Sequence, residues 1–340
     1  VNLLPGAEQL EITAAAADFL ARQMPVNDIR KNRDADDPVP ERLWREVAEM
    51  GLLTLGLDEE SGGSGRPLDD EALLFVELGK HLAPGPFLAC TLAARVAAGC
   101  GDDALAEHIG AGRARVALAV LRGDGDARPV KGTFDVFDPG GASHSLVLCR
   151  SGAALASLES LGPLTRVAAA DPGTRMATVT VESAEPVHWL PAQDDWLWGR
   201  AMVLAAAYLT GLAAAGAAQA TEHARTREQF GKPIGVHQAV KHACVDMEIA
   251  AEAAQAQTLF AAIALQSGRS DALLQVLAAA TVAGSAAVDN AAAGIHVFGG
   301  MGYTFENDMH MYLKRAHVFR HLIAEPTDVL AELLAQDRAQ

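Results

Sequence analysis

Arg227, Phe230 and Gln238 flank a Gly231-Lys232-Pro233 turn, and their side chains carry complementary recognition chemistry. The planar fork of Arg227 suits a pyrophosphate or the face of an adenine. The ring of Phe230 can pack on a flat heteroaromatic system. Gln238 offers both a donor and an acceptor, as a base edge requires. A bare Arg-x-x-Phe-Gly fits a solvated helix end with a core Phe equally well; the flanking Lys232-Pro233-Ile234 and the distance to Gln238 favour the ligand reading. A second segment holds His296, Gly299, Gly300 and Gly302. Glycine lets a backbone approach a ligand closely and adopt positive φ. The same glycines also suit a helix C-cap and turn.

These groups need elements to hold them. Residues 1–113 read as helices with short loops: Leu10, Ile12, Ala16, Phe19 and Leu20 lie near helical spacing, and Pro40 opens a helix that stops at Gly51. Residues 114–190 change texture. Val116 to Leu121, Phe134 to Phe137, Ser145 to Cys149 and Met176 to Val181 are short runs separated by Gly, Pro, Asp and Ser, which predicts strands. Residues 191–340 return to helix. Gly199 to Glu228 is one Ala-rich segment, and Val236, Val240, Ala243, Met247, Ala250 and Ala254 form an apolar stripe. Ser270 is a candidate N-cap for a helix reaching Phe298. The stretch from Asn307 to Ile323 predicts a further helix, with His310, Lys314 and Arg315 on a solvated face.

Composition narrows the classes. The 340 residues suit two or three packed layers or domains. A formal charge of −16 argues against nucleic acid, whose backbone needs a basic face. It leaves room for a local basic pocket that takes an anionic ligand. The four cysteines, Cys90, Cys100, Cys149 and Cys244, form no Cys-x-x-Cys pair and no zinc spacing, so no metal site is expected. Apolar neighbours suggest reduced, buried thiols. The first residues show no basic region followed by an apolar run, and apolar stretches carry polar breaks. The expectation is a cytoplasmic protein with no membrane partner.

The segment from Arg225 to Gln238 resembles the signature of the acyl-CoA dehydrogenases. So do Trp44 to Leu53, Glu59 to Gly65 and Glu77 to Pro86, the last in a form similar to actinobacterial steroid- and lipid-degrading members. The resemblance implies a mainly α fold with a β middle domain: an N-terminal helical domain over 1–113, a small β-barrel or sheet domain over 114–190, and a C-terminal four-helix bundle over 191–340. It also implies FAD, an acyl-CoA substrate and an electron-transfer acceptor protein. Arg227, Phe230, Gln238, His296, Gly299, Gly300 and Gly302 match positions that contact FAD held mainly by a neighbouring subunit. His296 departs from the family's usual Gln.

Dehydrogenation of an acyl-CoA needs a carboxylate within reach of Cα. The family places it in a Glu-Gly-Thr loop after the last long helix, or on the helix before the Arg-Phe-Gly segment. The first place falls on Ile323 and Ala324, and the second near Gly199 to Met202; neither holds an acid. Glu325 and Asp195 are displaced candidates. Asp195, with Asp194, suits a helix N-cap and first turn. The family's flavin-facing Thr-Glu-Pro-x-x-Gly-Ser-Asp loop and Trp-x-Thr strand are replaced by Ala117 to Asp126 and Lys131 to Asp138. The expectation is a chain with no catalytic residue of its own. It would complete the FAD site of a homologous catalytic subunit in an α2β2 assembly. A self-sufficient homo-oligomeric dehydrogenase and a structural subunit without cofactor are the alternatives.

Overall fold

The computed structural model describes residues 3–192 and 196–336. In chain order the elements are α1 (Ala7–Gln23), α2 (Val26–Lys31), α3 (Glu41–Glu49), α4 (Leu68–Lys80), α5 (Phe87–Gly99) and α6 (Asp103–Gly110). Seven strands follow: β1 (Arg115–Ala127), β2 (Val130–Phe137), β3 (Ala142–Cys149), β4 (Gly152–Ser157), β5 (Thr165–Val167), β6 (Met176–Ala184) and β7 (His188–Pro191). The chain then runs through α7 (Leu197–Thr226), a small hairpin of β8 (Glu228–Gln229) and β9 (Lys232–Pro233), α8 (Gln238–Gln266), α9 (Ala272–Phe298), α10 (Met309–Arg320) and α11 (Pro326–Ala335). Helical, then β, then helical is the expected order. By contacts the chain divides into two compact units, residues 27–71 with 84–201, and residues 1–26 with 72–83 and 202–340.

The first unit is built on the seven-stranded sheet, in the order β5-β6-β2-β1-β3-β4-β7. Only β1 and β3 pair in parallel; the other neighbours are antiparallel. Alternation decides the faces. In β6, Ala177, Val179 and Val181 are buried while Thr180 is exposed, the period of two that one packed face requires. In contrast, β4 is buried from Gly152 to Ala156, so no alternation marked it in the sequence. Cys90 on α5 is buried against β1, where its sulfur accepts from the Val116 amide at 3.4 Å, and burial pushes its thiol up to about 12. Cys149 and Cys100, expected buried, are half-exposed.

A buried ion cluster also belongs to this unit. Glu71, at the start of α4, meets Arg200 in the first turn of α7 and lies 3.5 Å from Arg95 of α5. Arg95 also donates to the Gly56 carbonyl. Gly56 is needed there, because a Cβ would overlap the Glu71 carboxylate. Nothing in the local sequence marked Glu71 or Arg200, whose partners are distant in the chain.

The second unit is helical. Its helices approach closely because small residues face each other. A Cβ on Gly79 of α4 would overlap the Tyr208 carbonyl of α7, and one on Gly211 would overlap the Val76 carbonyl. The buried amide of Asn290 on α9 donates to the Ala213 carbonyl of α7 at 3.0 Å and the Met247 carbonyl of α8 at 2.8 Å. One side chain thus registers three helices. By length and hydropathy α7 and Ala272–Tyr303 could each cross a membrane. In α7, 83% of the apolar window is buried inside the protein, as in a core helix.

Two local expectations change here. The helix after residue 270 begins at Ala272 with Asp271, not Ser270, at its cap position. Arg315, expected on a solvated face, is 2% exposed. It donates to the carbonyls of Leu82 at 3.3 Å and Ala83 at 3.2 Å, and to the Tyr208 hydroxyl. Tyr312 donates to the Lys80 carbonyl at 2.8 Å, and burial raises its hydroxyl's pKa. Tyr312 thus satisfies the last carbonyl of α4, which no helical N–H reaches, and Arg315 holds the carbonyls of the turn that follows it.

Candidate cofactor-contact site

The Arg227 segment forms a strained projection. At the end of α7, the Arg227 amide donates to the His223 carbonyl at 2.8 Å, and the Arg227 carbonyl accepts from Ile234 at 2.8 Å. Between these bonds the chain makes the β8–β9 hairpin, pairing Glu228 with Pro233 and Gln229 with Lys232. Its two turn residues, Phe230 and Gly231, have φ of 53° and 74°. Two positive φ values are what a two-residue hairpin demands, and Asn-Gly is its usual occupant. A Phe in that conformation costs about 1–2 kcal/mol. The ring gains nothing in return from its own chain, being 96% exposed. A strained, exposed aromatic is a mark of a surface shaped for something else.

The glycine segment lies beside it. α9 ends at Phe298, and its C-cap Gly299 has φ 63°, which no bulky residue adopts comfortably. A Cβ on Gly302 would overlap the Ile295 carbonyl, so only glycine allows this 3-10 turn to fold back on the helix. Gly300 faces open space. The Phe298 ring stacks on His223, with centroids 4.2 Å apart. His223 is on the last turn of α7, and burial followed by the Arg227 charge lowers its pKa. The structure therefore joins the Arg227 and Gly299 segments through the His223–Phe298 stack, a contact that sequence reading missed. In the sequence, a His in the last turn of a helix carries no signal for it.

Gln238 opens α8 after a 3-10 turn at Ile234–Val236 and is exposed. His296 is exposed on the last turn of α9. Among the described residues, no hydrogen bond or ion pair engages the side chains of Arg227, Gln238 or His296. Every exposed large aromatic among the described residues, Phe230, Tyr303 and Phe305, lies in these two segments. The donor set fits a diphosphate joined to a flat heteroaromatic ring: a free guanidinium, a free amide, an imidazole, and glycine backbone open to close approach.

The expected positions of a base converge elsewhere. Met202 on α7, and Ile323 and Ala324 after α10, line one cavity of about 110 Å³ between α7, α9, α10 and α11. No Asp or Glu is among the described residues on its wall. Glu325 is exposed, caps α11 and lies 2.9 Å from His321. Asp194 and Asp195 lie outside the described residues. In place of an acid, the first turn of α7 presents Arg200, which is engaged with Glu71. At the middle-segment position expected for a flavin clasp, Asp135 is paired with Arg122. No group of three or more His, Cys, Asp or Glu side chains among the described residues could hold a metal ion.

Comparison with known proteins gives a consistent match. Residues 6–114 match the family model "Acyl-CoA dehydrogenase, N-terminal domain", and residues 191–331 match "Acyl-CoA dehydrogenase, C-terminal domain". The chain is 32% identical over 343 residues to acyl-CoA dehydrogenase IpdE2 of Mycobacterium tuberculosis, covering 97% of this chain and 98% of that one. A solved Tcur3481-Tcur3483 steroid ACAD variant superposes with a TM-score of 0.84 at 26% identity, covering 98% of this chain and 97% of its own. The ChsE4-ChsE5 complex from Mycobacterium tuberculosis shares the fold, with a TM-score of 0.85 at 22% identity over 100% of both chains.

Proposed function

The chain belongs to the acyl-CoA dehydrogenase family, and from that premise we propose that it is the cofactor-completing subunit of a heteromeric enzyme. The class is an oxidoreductase acting on CH–CH bonds, with FAD as cofactor. When bound, FAD would supply the hydride acceptor for oxidation of an acyl-CoA between Cα and Cβ, a reaction that also needs a base for the Cα proton. Arg227 binds the pyrophosphate of FAD, and Gln238 and His296 hold its adenosine end. Phe230 would pack on its ring system, and the Gly299–Gly302 backbone would receive its ADP half. The catalytic base and the flavin clasp come from a homologous partner chain in an α2β2 assembly. An electron-transfer protein reoxidises the complex, which works in the cytoplasm.

The observation that carries this reading is the exposed, left-handed Phe230, three residues after Arg227, whose guanidinium pairs with no carboxylate among the described residues. The acid-free wall of the cavity beside Met202, Ile323 and Ala324 supports assigning the base to a partner. Resemblance to a steroid ACAD favours an acyl-CoA with a bulky, sterol-derived or branched chain. The test is expression of the chain alone and with a genomically adjacent homologue. Flavin absorbance and dye-linked acyl-CoA oxidation are expected only in the co-expressed complex, and Arg227→Ala should lower its FAD-to-chain ratio. Turnover by the chain alone would establish a self-sufficient enzyme instead, and an unchanged ratio in Arg227→Ala would remove that residue from the site.

A further inference from the structure

The cavity between α7, α9, α10 and α11 is apolar at its floor and cationic at its opening. Met202, Ala205, Ala206 and Leu209 of α7 form the buried floor. Apolar lining residues such as Phe319, Ile323 and Pro326 are half-buried at the opening, and the polar groups there are half-buried Arg320 and Thr281 and exposed Ser285. Arg320 lies across Gly284 of α9; its Cγ and Nε sit 3.4 and 3.9 Å from where a Cβ would stand. That contact holds the side chain along α9 at the rim. Among the described residues no carboxylate pairs with Arg320, and the neighbouring Glu325 is taken by His321. The Thr281 hydroxyl donates to the Leu277 carbonyl at 2.8 Å, so it can only accept. The Ser285 hydroxyl has no partner among the described residues and is free to donate.

A half-buried guanidinium without a counter-charge among the described residues favours an anion, and an apolar floor favours a hydrocarbon. We propose that this cavity binds a small amphipathic carboxylate. Its carboxylate accepts from Arg320 and Ser285, and its branched or cyclic body fills the floor. A dry cavity of roughly 150 Å³ takes a benzene ring, so about 110 Å³ suits a body of about four to five carbons. The site is separate from the Arg227 and Gly299 segments and does not depend on the subunit reading.

The test is titration of the full chain, with its partner where one co-purifies, by 3-methylbutanoate and by the neutral 3-methylbutanamide. Ligand-observed NMR or calorimetry reads the binding. The carboxylate is expected to bind on the order of tenfold or more tightly than the amide. Arg320→Gln should reduce the carboxylate to the level of the amide and leave the amide unchanged. Ala206→Val, which fills the floor, should weaken both; Ser285→Ala is the milder variant should that one not fold, and should weaken the acid more than the amide. Equal binding of acid and amide, no binding of the acid at millimolar concentration, or unchanged binding in Arg320→Gln would each overturn the proposal. The FAD ratio and turnover are read separately, so neither result bears on the other.

Discussion

At the scale of the residue, the informative positions are those where local cost has no local return. Phe230 occupies a conformation made for Asn or Gly and gives its ring to water. Replacing it with glycine removes the strain, so Phe230→Gly should leave the isolated chain as stable or about 1 kcal/mol more stable. The same change should lower FAD retention in the assembled complex. Thermal unfolding and the flavin-to-protein absorbance ratio read the two effects, and a Phe230→Gly complex with full FAD would show that the ring is not a contact. His223 makes the pH-sensitive counterpart. Burial, then Arg227, lowers its folded pKa below the ordinary 6.5. The folded state thus prefers neutral imidazole, while the unfolded chain takes up a proton first as pH falls. Stability is full above about pH 6.5 and declines below it until the folded pKa is passed. His223→Phe keeps a ring against Phe298 and should flatten that part of the melting-temperature profile; an identical profile would contradict this linkage.

At the scale of the element, two contacts hold helices in place. Glu71 ties the start of α4 to Arg200 on α7 and Arg95 on α5. Removing the carboxylate leaves two buried guanidiniums facing each other, so Glu71→Gln should cost about 3–5 kcal/mol in denaturant unfolding. A loss below about 1 kcal/mol would mean that water reaches the cluster. In the helical unit, Gly79 and Gly211 let α4 and α7 meet backbone to backbone. Gly79→Ala gains helix propensity but forces the Tyr208 carbonyl away. Overpacking outweighs propensity, with a net cost of about 1–3 kcal/mol expected from thermal melts. If propensity won, the variant would melt higher than the parent.

At the scale of the whole molecule, charge and exposed surface point the same way. In a chain of net charge −16, residues 225–241 carry Arg225, Arg227, Lys232 and Lys241 against the single acid Glu228. Such a local basic patch can draw a diphosphate that the rest of the acidic surface repels. The exposed aromatics of the same region are costly to leave in water. Both features are relieved together if a partner holds FAD against this face. The co-expressed complex is therefore expected to contain fewer FAD molecules than chains, readable from its mass and flavin content.

The sequence by itself determined the order of helical and β segments, because periods of two and about 3.6 are local properties that no distant contact erases. It also held the Arg227, Phe230 and Gln238 pattern and the glycines after Phe298, which are contiguous motifs. It showed the lack of an acid at Ile323 and Ala324 directly. What it could not hold is anything that depends on residues far apart in the chain. β4 lacked alternation because both its faces are covered. Arg315 looked solvated by its neighbours, yet it holds the carbonyls of the turn after α4, more than two hundred residues earlier. The Glu71–Arg200 pair, the His223–Phe298 stack and the Arg320 cavity have the same origin. Tertiary structure decided them, since burial and charge pairing depend on which groups meet in space, and chain separation carries almost no information about that.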